Sequence, residues 1–222
     1  ELRLLAIEVL REIYRTELAR MKGGATELPL QSLLKLDVDQ FYGIEFSEFP
    51  ARIAETAMWM MDHIMNTQAS LEFGAAFLRI PLRKSPNIVH ADALETDWTT
   101  IAPGDLSYII GNQPFIGAKY QSDEQRAQVR SIAALGKTGG TLDYVCAWFI
   151  KAAAFGTPTA FVSTNSITQG EQVAQLWPIR FERHGCEIAF AHRTCAWGAE
   201  ARGKAAVHVV VLGLEPRASA RK

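Results

Sequence analysis

Apolar positions along the chain follow two spacings, one typical of helices and one typical of short buried strands. Apolar residues three or four positions apart, with charged residues between them, predict five helices over residues 2–21, 48–65, 123–135, 142–154 and 170–184. Short apolar or β-branched runs bounded by turn residues predict six strands over residues 40–45, 87–90, 108–110, 159–163, 187–191 and 206–214. Strands therefore alternate with helices along most of the chain.

The segments between these elements carry helix breakers and polar residues. Residues 67–86 contain Pro81 and Pro86 and are predicted to be irregular, with room for a short hairpin. Pro178 is expected to kink or divide the fifth helix, and residues 193–204 read as a polar connection between the last two strands. This order predicts an α/β fold with a largely parallel sheet and an antiparallel hairpin at its C-terminal edge.

The third predicted strand ends in a stiff polar loop. Tyr108-Ile109-Ile110 stops at Gly111, and Asn112-Gln113-Pro114-Phe115 follows. Pro114 has a fixed φ and pushes the preceding residue into an extended conformation. The loop therefore projects the Asn112 side chain, the Gln113 carbonyl and the Phe115 ring from the carboxyl end of a strand, where open α/β sheets bind ligands. A simple turn is the alternative interpretation.

Two acidic residues follow other predicted strands. Glu45 ends the first strand, a position from which a carboxylate can accept hydrogen bonds from ribose hydroxyls. Asp92 comes just after the second strand, where it could accept from an exocyclic amine of adenine. A helix cap or a solvated strand end is the alternative for Glu45, and an ordinary turn is the alternative for Asp92.

Composition narrows the class of protein. The 222 residues are 48% hydrophobic and 21% charged, enough for one globular domain with a real core. The net charge of −1 argues against a free-standing nucleic-acid-binding protein. It does not argue against an enzyme whose DNA-binding surface lies elsewhere in a longer chain. The sequence shows no signal peptide or membrane span. Three cysteines without metal-like spacing suggest reduced thiols in a cytoplasmic protein and argue against a zinc site.

Taken together, the strand-end motifs resemble a known enzyme family. Asn112-Gln113-Pro114-Phe115 resembles the Asn-Pro-Pro-Phe/Tyr motif of adenine-N6 DNA methyltransferases. The chain as a whole is similar to the methyltransferase part of MmeI-like single-chain restriction–modification enzymes (types IIL and IIG). The motifs that carry this resemblance are 41–45 (FYGIE), 89–94 (VHADAL), 141–145 (TLDYV), 162–166 (VSTNS), 191–194 (AHRT) and 201–205 (ARGKA).

The resemblance implies a fold, a cofactor and a role for individual residues. It implies a Rossmann-like class I methyltransferase sheet, methyl transfer from S-adenosylmethionine to N6 of a flipped-out adenine in double-stranded DNA, and no metal. Glu45 would bind the cofactor ribose, Asp92 its adenine amine, with Ala93 and Asn112 in the same site. The catalytic residues would be Asn112, Gln113, Pro114 and Phe115: Asn112 and the Gln113 carbonyl would accept from the target amine, and Phe115 would stack on the base.

Two positions depart from the family pattern. Gln113 replaces the family's first proline, so we expect a looser loop and reduced activity, although the required backbone carbonyl is retained. Cys195 stands where the family has an aromatic residue after Arg-Thr, and Trp197 is the candidate to replace it against the flipped base.

The resemblance also predicts how the chain is organised. The family's Gly-rich cofactor motif should precede Glu1, on a central strand between those ending at Glu45 and Gly111. We therefore expect residues 1–215 to form a partial methyltransferase catalytic domain that is incomplete at its N-terminus. Residues 216–222 would be a basic tail leading to a target-recognition domain, and the sequence leaves open a nuclease domain in the same parent chain. An RNA or protein-glutamine methyltransferase and a degenerate DNA-positioning module are the alternative functions.

Overall fold

The structure, a computed structural model, describes residues 2–22, 36–73, 84–136, 141–196 and 208–217, without the side chains of residues 2–8 and 193–196. The chain divides into two compact units, Glu1–Ala102 and Pro103–Lys222. Each unit is described by itself. None of the described helices is long and apolar enough to cross a membrane.

The first unit packs two long helices beside a pair of parallel strands. Helix α1 covers Leu2–Lys22 and α2 covers Glu48–Phe73. Strands β1 (Tyr42–Glu45) and β2 (Asn87–His90) are parallel. Residues three or four positions apart on both helices meet in one buried cluster, because that spacing places them on one helix face: Leu10, Tyr14, Leu18, Met21, Met58, Met61, Met65 and Ala69.

The second unit is built on a four-stranded mixed sheet. Its strands are β3 (Ile109–Asn112), β4 (Thr159–Thr164), β5 (Cys186–Ala196) and β6 (His208–Pro216), in the spatial order β3-β4-β6-β5. Strands β3 and β4 are parallel, and β6 is antiparallel to both of its neighbours. The described strands thus confirm the predicted α/β class, with parallel strands followed by an antiparallel C-terminal pair.

Three helices accompany this sheet. Helix α3 covers Asp123–Ala133, α4 covers Cys146–Phe155 and α5 covers Gly170–Pro178. Ser122 caps α3, because its hydroxyl accepts from the Gln125 amide while the Gln125 side chain accepts from the Ser122 amide. After Pro178 the helical path continues as a π-helical turn, Ile179–Arg183, so the predicted division at this proline is confirmed.

Several boundaries differ from the prediction. Helix α2 continues to Phe73, so the prediction that residues 67–73 are irregular was wrong. Residues 74–83 lie outside the described part of the chain. Helix α4 begins at Cys146 rather than at residue 142. Strand β5 reaches Ala196, beyond the expected end at residue 191. On α1, Ile13 is exposed, whereas the neighbouring Tyr14 is buried. The single domain over residues 1–215 stays a prediction.

Candidate active site

The Asn112–Phe115 loop leaves the sheet at the carboxyl end of β3. Asn112 is the last residue of that strand and lies opposite Val162 of the parallel strand β4. Parallel neighbours end at the same edge of a sheet, so the loops after β3 and β4 start side by side. Within the loop, Pro114 is exposed, and Asn112 and Phe115 are half-buried. Polar and aromatic groups are therefore presented at the edge where α/β sheets bind ligands.

Gln113 points inward and packs against Gly111. Its side chain is only 8% exposed. A Cβ atom built on Gly111 would lie 2.2 Å from Gln113 Nε2, so the amide occupies space that only glycine leaves open at this position. Gln113 Oε1 is buried and has no hydrogen-bond partner among the described residues. The side chain thus anchors the loop to the strand, a role that the sequence did not predict, while the backbone carbonyl stays the predicted acceptor.

A groove lies directly beyond this loop. It measures about 630 Å³ and is lined by the segment that follows Phe115, by the turn before α4 with Thr141 and Asp143, and by α3 and α5, including the basic residues Lys119, Arg126 and Arg130. A larger groove of about 740 Å³ lies against α5, β5 and β6, and its lining includes none of the residues 112–115. None of the residues 112–115 lines the smaller groove either, but Gly117 and Ala118 of the segment after Phe115 do, so this groove lies beside the candidate loop.

Glu45 and Asp92 lie at one edge of the other sheet, in the first unit. Glu45 pairs with His90 in the parallel β1–β2 pair, and its carbonyl accepts from the Ala91 amide at 3.0 Å. Its carboxylate Oε1 accepts from the Ser47 amide at 3.3 Å, a long hydrogen bond. Asp92 follows two residues after His90. The structure therefore brings the two predicted cofactor ligands to the same sheet edge.

Asp92 is partly engaged in a turn of its own. Its Oδ1 accepts from the Leu94 amide at 2.7 Å, and its carbonyl accepts from the amide and hydroxyl of Thr96. The Ala93 carbonyl accepts from the indole N–H of Trp98 at 2.8 Å. These bonds make the turn after β2 rigid, which suits a site that holds a flat ring.

The carboxylates at this sheet edge are acceptors of the kind that the predicted cofactor ribose and adenine amine would need. A carboxylate at a strand end can accept from a ribose diol, and among the described residues the Glu45 carboxylate accepts one long hydrogen bond, from the Ser47 amide. Among the described residues no group of three His, Cys, Asp or Glu side chains could hold a metal ion. Asn112–Phe115 belong to the second unit, whereas Glu45, Asp92 and Ala93 belong to the first. Trp197 lies outside the described residues.

Cys146 is a buried thiol that follows the turn containing Asp143, and its amide donates to the Asp143 carbonyl. It is fully buried at the start of α4. Burial raises the pKa of its thiol, and the nearby Asp143 carboxylate raises that pKa further. Because the thiolate is the reactive form of cysteine, this side chain is held in its inert state.

Comparison with known proteins identifies the family of this chain. The family model of the MmeI DNA-methyltransferase domain matches residues 1–222. The chain belongs to this family. It is also 36% identical, over 97% of its length, to DNA methyltransferase A of Bacillus subtilis (strain 168), of which it covers 24%.

A solved structure gives the same result for the fold. The type IIL restriction–modification enzyme MmeI, solved in complex with DNA, matches with a TM-score of 0.80 and 46% sequence identity. The match covers 99% of this chain and 29% of that one. This chain therefore spans about a quarter to a third of the length of these two relatives.

Proposed function

We propose that this chain is the catalytic part of a DNA methyltransferase that transfers a methyl group from S-adenosylmethionine to N6 of an adenine in double-stranded DNA. The parent protein would be a single-chain restriction–modification enzyme. The observation that carries the proposal is the Asn112-Gln113-Pro114-Phe115 loop at the carboxyl end of β3, in a chain of the MmeI methyltransferase family.

The residue types of the loop suit the chemistry of an aromatic amine. The lone pair of such an amine is delocalised into the ring, so the nitrogen is a poor nucleophile. Two fixed acceptors, the Asn112 side-chain oxygen and the Gln113 carbonyl, draw on its two N–H hydrogens and favour a pyramidal nitrogen with a freer lone pair. Positive charge that develops on this nitrogen is stabilised by the same two oxygens.

The remaining residues bind and position. S-adenosylmethionine supplies an activated methyl group when it is bound, and Glu45 and Asp92 would hold its ribose and its adenine. Phe115 would stack on the target base after that base has left the duplex, because an adenine amine is buried while it is paired. Pro114 keeps the loop stiff, so the acceptors are already placed before the substrate arrives.

Other parts of the reaction belong to chain segments outside this one. Recognition of a particular DNA sequence would come from a target-recognition domain of the parent protein. Lys119, Arg126 and Arg130, in the groove beside the loop, could contact DNA phosphates near the target. A nuclease domain in the same parent would complete a restriction–modification enzyme.

The test is methyl transfer by the full-length parent protein. Labelled S-adenosylmethionine and mixed-sequence duplex DNA are incubated with wild-type protein, with Asn112→Ala and with Gln169→Ala, a change to an exposed amide of the same unit. We expect label on adenine N6 with the wild type and the control, and a loss of about 10²–10³-fold with Asn112→Ala, as for removal of one aligned hydrogen-bonding group. Label on cytosine, RNA or protein instead would show that the acceptor is wrong.

A further inference from the structure

Asp143 is a buried carboxylate to which the transfer chemistry gives no direct role. It is 9% exposed and lies in the turn before α4. Oδ1 accepts from the Ala118 amide at 2.9 Å, and Oδ2 accepts from the Ser166 hydroxyl at 2.5 Å. Burial of a carboxylate is costly unless its oxygens are hydrogen-bonded, and here both oxygens are. The carboxylate therefore links the two segments that supply its donors, around Ala118 and around Ser166.

The first contact fixes the backbone directly after Phe115. The Ala118 amide is held by Asp143, and the Ile116 carbonyl accepts from the Tyr144 amide at 2.9 Å. Two consecutive residues before α4 therefore hydrogen-bond to the loop: Asp143 accepts from Ala118, and Tyr144 donates to Ile116. On its other side Phe115 is fixed by β3, since that strand ends at Asn112. The ring is thus positioned from both directions along the chain.

The second contact ties this loop to the end of the neighbouring strand. Ser166 lies in the turn after β4, and its hydroxyl lies 2.6 Å from the hydroxyl of Thr164, the last residue of β4. The Asp143 amide donates to Gln172 Oε1 of α5 at 3.0 Å. Asp143 therefore joins the loop after β3 to the turn after β4, two segments that leave the same edge of the sheet.

We propose that Asp143 is a positioning residue of the methyl-transfer site, whose carboxylate links Ala118 to Ser166 and thereby holds Phe115 in its catalytic orientation. This assignment rests on the proposed function. Asp143 acts through the loop and touches neither the base nor the methyl donor. The role requires the two hydrogen bonds of the Asp143 side chain and does not require its negative charge. A general base, in contrast, would need the carboxylate itself.

Asparagine should therefore replace Asp143 with little loss. Its amide oxygen can accept from Ala118, and its N–H can donate to Ser166 Oγ. The Ser166 hydroxyl then turns to donate to Thr164, whose oxygen is already within 2.6 Å. Alanine provides neither bond.

The experiment measures steady-state methyl transfer by the full-length parent protein, carrying Asp143→Ala, Asp143→Asn or the control Asp105→Ala. Asp105 is an exposed aspartate of the same unit. We expect Asp143→Ala to lower kcat about 10²-fold, as for a misplaced reacting geometry, with an unchanged KM for the methyl donor. We expect Asp143→Asn to restore most of kcat and Asp105→Ala to match the wild type.

A second variant removes the bond from the opposite side, in case Asp143→Ala fails to fold. Ala118→Pro deletes the amide donor while Asp143 stays. Proline suits this site, because Ala118 opens a short 3-10 turn and Gly117 before it is extended, with φ −65° and ψ 150°. We expect a loss of kcat in the same direction, with Tm showing that the protein is folded.

Each result decides the assignment. If the wild type is active and Asp143→Ala keeps the wild-type kcat, the assignment of Asp143 is wrong while the proposed function stands. If Asp143→Ala does not fold, a wild-type kcat for Ala118→Pro has the same meaning. Asp143→Asn as inactive as Asp143→Ala would show that the charge is required and would overturn it as well. No transfer by the wild type would overturn the proposed function, and this assignment with it.

Discussion

The hydroxyl of Tyr14 donates a 2.5 Å hydrogen bond to Oδ1 of Asp62, and both side chains are buried between α1 and α2. Asp62 Oδ2 also accepts from Asn66 Nδ2 at 2.9 Å. A buried carboxylate is thus kept in the core of the first unit by donors from both helices.

Tyr14→Phe should destabilise the first unit, because it removes one donor and leaves the buried carboxylate with less than its full set of hydrogen bonds. We expect the free energy of unfolding in urea to fall by about 1–3 kcal/mol. Tyr120→Phe, at a tyrosine that is 85% exposed, should have no effect. Equal stability of Tyr14→Phe and wild type would mean that water replaces the lost donor.

Gln113→Glu tests whether the side chain at position 113 is buried against Gly111. The change keeps the shape and introduces a carboxylate at a site where Oε1 of the amide has no partner. Burial disfavours the charged form, so the pKa of this carboxyl is expected to rise in the folded state. The folded protein then holds more protons than the unfolded chain, and stability is lost as the pH rises above the usual glutamate range.

The measurement for this variant is urea denaturation at pH 5 and at pH 8. We expect Gln113→Glu to be clearly less stable than wild type at pH 8, and to recover part of the difference at pH 5. Gln169→Glu, at an exposed position, is the matched control. A stability difference that does not depend on pH would show that residue 113 faces solvent.

Phe115→Ala should lower kcat/KM for duplex DNA by about 10- to 100-fold, because stacking of a base on an aromatic ring is worth about 1–3 kcal/mol. Phe115→Tyr keeps the ring and should stay close to wild type. Tyr108→Ala removes an exposed ring just before β3 and serves as the control. If Phe115→Ala and Tyr108→Ala behave alike, Phe115 does not stack on the target.

Cys146 should resist alkylation in the folded protein. Burial and the neighbouring Asp143 carboxylate raise the pKa of its thiol, so iodoacetamide at pH 8 finds almost no thiolate and no access. Peptide mass mapping should show Cys146 unmodified in the native chain and modified after unfolding in urea. Labelling of the native protein at the unfolded rate would contradict its burial.

Much of the fold could be predicted, because apolar spacing reports directly on helices and strands. The limits appear on α1, where the structure exposes the apolar Ile13 and buries the neighbouring Tyr14. Tyrosine can enter the core at this position because Asp62 accepts from its hydroxyl. That partner lies on another helix, so local spacing does not reveal it.

The same reason explains the start of α4. Residues 142–145 are apolar enough to extend the helix, but they form a turn in which Asp143 accepts hydrogen bonds from Ala118 and Ser166. A buried turn and a helix have similar apolar content, so the sequence does not separate them. In β5 the pairing register shifts between Ile188 and Phe190 and again between His192 and Cys195. Such shifts interrupt the alternation of inward and outward side chains from which the full length of a strand is predicted.

At the candidate site, the motif identified the loop but not its supports. The order of residues 107–115 was sufficient to place this loop at the end of a strand. The inward side chain of Gln113 and the contacts of Asp143 depend on residues that are distant in sequence or on space left by Gly111. Such features follow from packing in three dimensions and require the structure.

The position of β6 has a consequence for synthesis of the protein on the ribosome. This strand comes last along the chain but lies between β4 and β5, with Phe161 opposite Leu212. A nascent chain that has emerged as far as β5 can pair β3 with β4, but both β4 and β5 still lack their shared neighbour. Their open edges are exposed to other chains during that interval. Rapid translation of residues 197–216 would therefore shorten the period in which the nascent chain can aggregate.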